Sequence, residues 1–242
     1  MSSSESNAHR FLSAFANIED TLARQQRKRE NGKEWVSFSD LLAGSDTLLE
    51  KQKHQLRTFA KLRNAISHSP YIGGEAIADP RTETVEAIEK IYRDLERPPL
   101  LIDALRHHER PILFELDADV MSFLKLVIDH DFSQIPVKTV SGYALLTTNA
   151  VARWFATNFT QYGGVVETTP LREIMAFAET GDRLKIVNPG TTTVQAINLL
   201  SGQAQVDVEP PAALLVQGKM GQPPQRLCVR ADLSLLYTQL GG

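Results

Sequence analysis

Phe132-Ser-Gln-Ile135-Pro-Val137-Lys-Thr-Val-Ser-Gly142-Tyr-Ala-Leu-Leu-Thr147-Thr-Asn149 holds two short apolar runs separated by four residues. Runs this short, rich in β-branched and aromatic residues and broken at Gly, read as strands: Gln134–Val137 and Gly142–Thr147. An apolar periodicity near 3.6 surrounds them and predicts helices over Asp119–His130 and Thr148–Thr157, with a strand at Ile112–Leu116. The order β-α-β-β-α then recurs. Strands are expected at Leu184–Val187, Ala212–Val216 and Arg226–Val229, and helices at Thr192–Leu200 and Asp232–Leu240. A unit repeated after roughly 70 residues implies two pseudo-symmetric modules packed as a pair.

Upstream of Pro98-Pro99 the pattern is helical. Phe11, Phe15, Ile18 and Leu22 recur at helical spacing and run into the basic stretch Arg24–Arg29. A second helix is expected from Ser45 or Asp46 to His68, with Leu49, Leu56, Phe59, Leu62 and Ile66 on its apolar face and Ser69-Pro70 as its stop. A third spans Thr82–Leu95, with Val85, Ile88, Ile91, Tyr92 and Leu95 facing inward. The sequence therefore reads as α+β, an all-α bundle over residues 1–97 followed by a module pair over 98–242, divided into about 98–160 and 165–242.

Composition excludes several classes. At 42% apolar and 23% charged residues the 242-residue chain is globular rather than disordered. Its formal charge of 26 − 29 = −3 rules out a globally basic nucleic-acid coat, while leaving room for a local basic patch. Fifteen basic and fifteen acidic residues precede Pro98, so the helical half is neutral overall with clustered charges. A lone Cys228 forms no internal disulfide and begins no zinc cluster. Nothing at the N-terminus reads as a signal peptide and no apolar run spans a bilayer, so a cytoplasmic protein without membrane contact is expected.

The segment Ile135-Pro-Val137 followed by Gly142–Asn149 resembles a CBS domain, a family with a hydrophobic-Pro-Val strand and a strand-to-helix junction ending Thr-x-x-Asp. Leu227-Cys-Val229-Arg-Ala-Asp232 resembles the same junction, with Val229 at the Thr position. The resemblance implies an adenine-nucleotide cleft between two modules, with AMP, ATP or a related compound as regulatory ligand and no required cofactor. Apolar strand edges at Ile135 and Ile186 are suited to sandwich an adenine ring. Asp232 can accept hydrogen bonds from ribose hydroxyls, and Thr147, Thr148 and Asn149 can meet phosphate at a helix start. Each copy lacks one usual contact, since Ala150 stands at the Asp position of the first. Capping of the following helices by Thr148 and Asp232 is the structural alternative.

Leu62-Arg63-Asn64-Ala-Ile-Ser-His68 resembles the Arg-x4-His signature of HEPN domains, helical bundles that often act as metal-independent ribonucleases. Histidine suits proton transfer near neutral pH, and arginine grips phosphate through a planar fork. Arg63, Asn64 and His68 are thus catalytic candidates, with RNA as a partner. One His68 per chain supplies a single proton shuttle, so a homodimer would complete an acid–base pair. Helix-end capping by Arg63 and His68 is the alternative. Lys51, Lys53, His54, Arg57, Lys61 and Arg63 give this helix a basic flank, readable as an RNA track or as a solvated face. His107-His108 diverge on a helix and make a poor metal pair; Asp129-His130-Asp131 reads as a solvated turn and Cys228 as a core residue. The pairs Gly73-Gly74 and Gly163-Gly164 lack the context of a phosphate loop. No metal site is expected.

Overall fold

A computed structural model describes residues 6–29, 36–68, 78–162, 168–203, 209–219 and 221–240. The stop at Ser69-Pro70 and the glycine pairs at 73–74 and 163–164 lie outside these. The chain divides into two compact units, Met1–Pro99 and Leu100–Gly242.

The first unit holds helices α1 (Asn7–Arg29), α2 (Phe38–Gly44), α3 (Glu50–His68) and α4 (Thr82–Glu96). Phe11, Phe15, Ile18 and Leu22 are buried along one stripe of α1, as their spacing requires. The matching stripe of α4, Val85, Ile88, Ile91 and Leu95, shares that core. Two polar ties fix the register of the pair. Arg10 donates twice to Glu89, at 3.0 and 2.8 Å, and the Thr21 hydroxyl donates to Glu96 at 3.0 Å. Helix α3 starts at Glu50, several residues later than its capping signals suggest. The Gln52 side chain accepts from the Leu49 amide at 2.9 Å, and Leu48 is buried in the core. A cap at that point leaves Ser45 to close the C-terminus of α2 instead, its amide donating to the Leu42 carbonyl.

The second unit contains the repeat. Its first half is β1 (Phe114–Glu115), α6 (Val120–His130), β2 (Gln134–Thr139), β3 (Gly142–Thr147) and α7 (Thr148–Tyr162). Its second is β4 (Leu184–Val187), α9 (Thr193–Leu200), β5 (Ala213–Val216), β6 (Arg226–Val229) and α10 (Leu233–Gln239). Each half forms a three-stranded sheet in which the first two strands are parallel and the last two antiparallel. Asp119 caps α6 by accepting from the Met121 amide at 2.9 Å. Thr192 caps α9 in a reciprocal pair with Gln195. Gly142 opens β3 at φ 142°, a backbone region open to glycine alone.

Besides α2, two short helices of the second unit escaped the periodicity, α5 (Leu101–Ala104) and α8 (Leu171–Met175). Each precedes one half of the repeat and docks on the other. The Leu101 amide donates to the Thr191 carbonyl, and the Leu171 and Arg172 amides donate to the carbonyls of Ala118 and Leu116, all at 2.9 Å. Leu101, Ala104, Leu171 and Ile174 are buried there. This exchange ties the halves together reciprocally. Only two residues of the expected first strand pair with β2, and Ile112 and Leu113 stay exposed ahead of it. Among the described residues no helix is long and apolar enough to cross a membrane.

Candidate functional site

A cleft of about 540 Å3 opens in the second unit where three segments distant in sequence converge. The segment from His108 to Ile112, leading into β1, forms one side. The end of α6 and the start of β2 form the next, and β6 with the 3-10 turn Arg230–Asp232 closes it. At the end of α6, Asp131 adopts the left-handed conformation, φ 56°, and its amide donates to the Leu126 carbonyl. That cap turns the chain so that Phe132 and Ile135 present an apolar wall. Leu227 and Val229, one residue to either side of the buried Cys228, add further apolar lining.

Asp232 marks the polar end. Its Oδ2 accepts from the Val229 amide at 2.8 Å, so the carboxylate closes the turn that leads into α10. Its Oδ1 lies 3.7 Å from His108 Nε2 and remains able to accept from a ligand. The side chain is 15% exposed, which lets it reach the cleft while losing most of its water. Its side chain makes no cap bond to α10, so the expected capping of that helix is replaced by closure of the preceding turn. Arg110 and His130 add donors, and the His130 ring lies against Phe132 with centroids 5.6 Å apart. Among the described residues no group of three His, Cys, Asp or Glu is placed to hold a metal.

Cys228 sits beneath this end. Burial, reinforced by the Asp232 charge and a hydrogen bond to it, pushes its thiol well above the ordinary value of about 9. Above that pH the unfolded thiol ionises while the native one keeps its proton. The native state then binds one proton more, so stability is complete below about pH 9 and falls by about 1.4 kcal/mol per pH unit beyond it. Cys228→Ala should flatten the alkaline limb by one proton in denaturant titrations; an unaltered slope would show the thiol is not protected.

The remaining residues expected at a site lie elsewhere. The Thr147 hydroxyl donates to Asp182 Oδ1 at 2.9 Å and accepts from the Ala150 amide at 3.1 Å, so Thr147, rather than Thr148, caps α7. Asp182 is buried, pairs with Arg153 and also accepts from the Glu179 amide at 3.0 Å. Arg153 in turn reaches Glu179 at 3.2 Å and the Phe177 carbonyl at 2.8 Å. Asp182, which no sequence expectation names, is the residue that accepts the Thr147 hydroxyl's hydrogen bond. Thr148 lines a separate apolar recess with Leu124, Val151, Trp154 and Phe155. Asn149 is exposed on α7, and Ile186 is exposed on β4 beside Gly142. Of the six expected ligand residues, Ile135 and Asp232 share the cleft. His108, Arg110, His130 and Phe132 were missed as its lining. In the sequence His108 reads as half of a poor metal pair with His107, and His130 as part of a solvated turn; the fold brings both to one cleft.

In the first unit, Arg63 donates to Asn64 Oδ1 at 3.1 Å. Its guanidinium lies 3.9 Å from Glu19 and 5.8 Å from the centre of the Phe15 ring. The cation is thus already engaged by α1. His68 ends α3, and its side chain lies outside the described residues.

No protein-family model matches the chain, and no curated protein matches its sequence. Solved structures with a related arrangement include a CBS-domain protein from Agrobacterium tumefaciens, at 11% identity over 58% of this chain and 96% of that one, TM-score 0.40. A second, in complex with AMP, has 11% identity over 56% of this chain and 96% of that one, TM-score 0.39. The CBS domain of a bacterial CNNM/CorC family Mg2+ transporter, in complex with ATP, has 16% identity over 62% of this chain and 94% of that one, TM-score 0.37. These are loose likenesses, and the repeat rests on the chain's own strand order.

Proposed function

We propose that residues 98–242 form a CBS-type module pair that binds one adenine nucleotide per chain in the cleft, as the sensor of a regulatory protein. The observation that carries this reading is Asp232 Oδ1, an acceptor not used by the turn, at the polar end of an apolar-walled cleft. A volume of 540 Å3 is within the usual range for small-molecule sites. The base would lie against Ile135 and Val229, the ribose hydroxyls would donate to Asp232, and Arg110 with His130 would meet phosphate. Calorimetric titration with AMP and ATP tests it. At about 100 times Kd the ligand should add about 2.7 kcal/mol of stability. Failure of AMP, ATP and S-adenosyl compounds alike to bind or to shift the melting temperature would overturn it.

For the helical unit we favour a non-catalytic role, docking a partner or a second chain. Glu19 and the Phe15 ring engage Arg63 as a structural cation would be engaged. The Arg63–Asn64 contact supports a second reading, in which a homodimer joins Arg63, Asn64 and His68 of two chains into a HEPN-type ribonuclease under nucleotide control. RNA incubated with the purified chain in EDTA, with and without AMP, separates the two. Under the favoured reading the RNA stays intact. Cleavage abolished by His68→Ala would install the second. Light scattering near twice the 26.9 kDa chain mass would support a homodimer under either reading.

A further inference from the structure

The exposed face of α3 carries Lys51, His54, Arg57 and Lys61. At 3.6 residues per turn they fall within an arc of roughly 120° and follow one another over about 15 Å. Several other cations of this unit are neutralised in place. Arg10 pairs with Glu89, Arg24 with Asp20 and Glu96, Lys90 with Asp94, and Lys53 with Glu50. Among the described residues, Lys51, Arg57 and Lys61 have no carboxylate within 4.0 Å, and Glu50 is the single acid of the helix.

The same face has no apolar side chain larger than that of Ala65 among its exposed positions. Leu56 and Ile66 are buried, while Phe59, Ala60 and Leu62 pack against the bundle core. Protein partners draw most of their affinity from aromatic or aliphatic anchors seated at a dry centre, and nothing here could seat one. A polyanion needs only spaced cations and hydrogen-bond donors, and the Asn64 amide NH2 adds a donor beyond the charges. We infer that the exposed face of α3 binds the phosphate backbone of a single-stranded nucleic acid. With no exposed aromatic on the strip to stack a base, binding is independent of sequence and indifferent to the 2′-hydroxyl. The inference requires neither a catalytic His68 nor a ligand in the cleft of the second unit.

The test is fluorescence anisotropy on the full chain with labelled oligouridylate of about 12 nucleotides and its deoxy counterpart, starting at about 50 mM salt. Three full charges predict a slope of roughly −2 in log K against log salt for both strands. Replacing Lys51, Arg57 and Lys61 together by Gln, at exposed positions where the fold is unaffected, should weaken binding at least tenfold and flatten the slope. The result that overturns the inference is an absence of binding at low salt, or a triple variant that binds as the wild type does. A glutamate peptide of equal charge that binds more tightly than either oligonucleotide would assign the face to an acidic protein and equally overturn it.

Discussion

Asp182→Ala should lower the stability of the second unit by about 3 kcal/mol, the low end of the cost of breaking a buried ion pair. The low end applies because the Arg153 side chain is 30% exposed and keeps Glu179 and the Phe177 carbonyl as partners. For a unit of this size the loss corresponds to a fall of roughly 6–12 °C in melting temperature. Asp182 accepts three interactions at once, from the Thr147 hydroxyl, the Glu179 amide and Arg153, and alanine leaves all three donors without it. Asp182→Asn keeps the shape and one acceptor oxygen, so it should retain part of the stability. Thr147→Val removes the cap of α7 and should cost about 1 kcal/mol. All three variants should leave nucleotide affinity in the Asp232 cleft unaltered, because none of these groups lines it. A Thr147→Val protein that keeps its melting temperature but loses nucleotide would return Thr147 to the binding site.

The contrast between Asp182 and Asp232 explains what the sequence could and could not reveal. Asp232 stands three residues after Val229 at the end of a strand, a spacing that by itself places a carboxylate over the Val229 amide. Such local geometry is legible, as are strands β2 and β3 and the α1 stripe, because the forces that make them act between near neighbours in the chain. Asp182 lies in Thr180-Gly-Asp-Arg183, a short stretch with no apolar residue to signal burial. Its burial comes from Thr147 and Arg153, 35 and 29 residues away. The cleft has the same character. His108 and Arg110 reach it from before β1, His130 and Phe132 from the end of α6, and Val229 from β6. No single window of sequence contains them. Helices α5 and α8 are too short to show a period, and their apolar residues are explained only by the opposite half of the repeat.

Asp232→Asn should weaken adenine-nucleotide binding roughly 10- to 150-fold, the equivalent of losing charge-assisted hydrogen bonds worth about 1.5–3 kcal/mol. Asparagine is the sharper choice over alanine because the residue has two duties. One oxygen closes the turn by accepting from the Val229 amide, and alanine would abolish that bond together with any contact to ligand. Asparagine keeps one acceptor oxygen for the turn and presents its NH2 group to the cleft, where two ribose hydroxyls would meet a donor instead of an acceptor. The folded state should therefore survive with little change in melting temperature while affinity falls, and the two effects separate cleanly. The change also removes the negative charge beside Cys228, so the thiol should ionise more readily than in the wild type while burial still holds it up. Calorimetry with AMP and ATP on the variant decides the matter. Wild-type affinity in Asp232→Asn would leave the residue as a turn cap alone and move the ribose elsewhere in the cleft. A deoxyadenosine phosphate lacking the 2′-hydroxyl should lose part of its affinity for the wild type and little for the variant, because the carboxylate that would accept from that hydroxyl is already gone there.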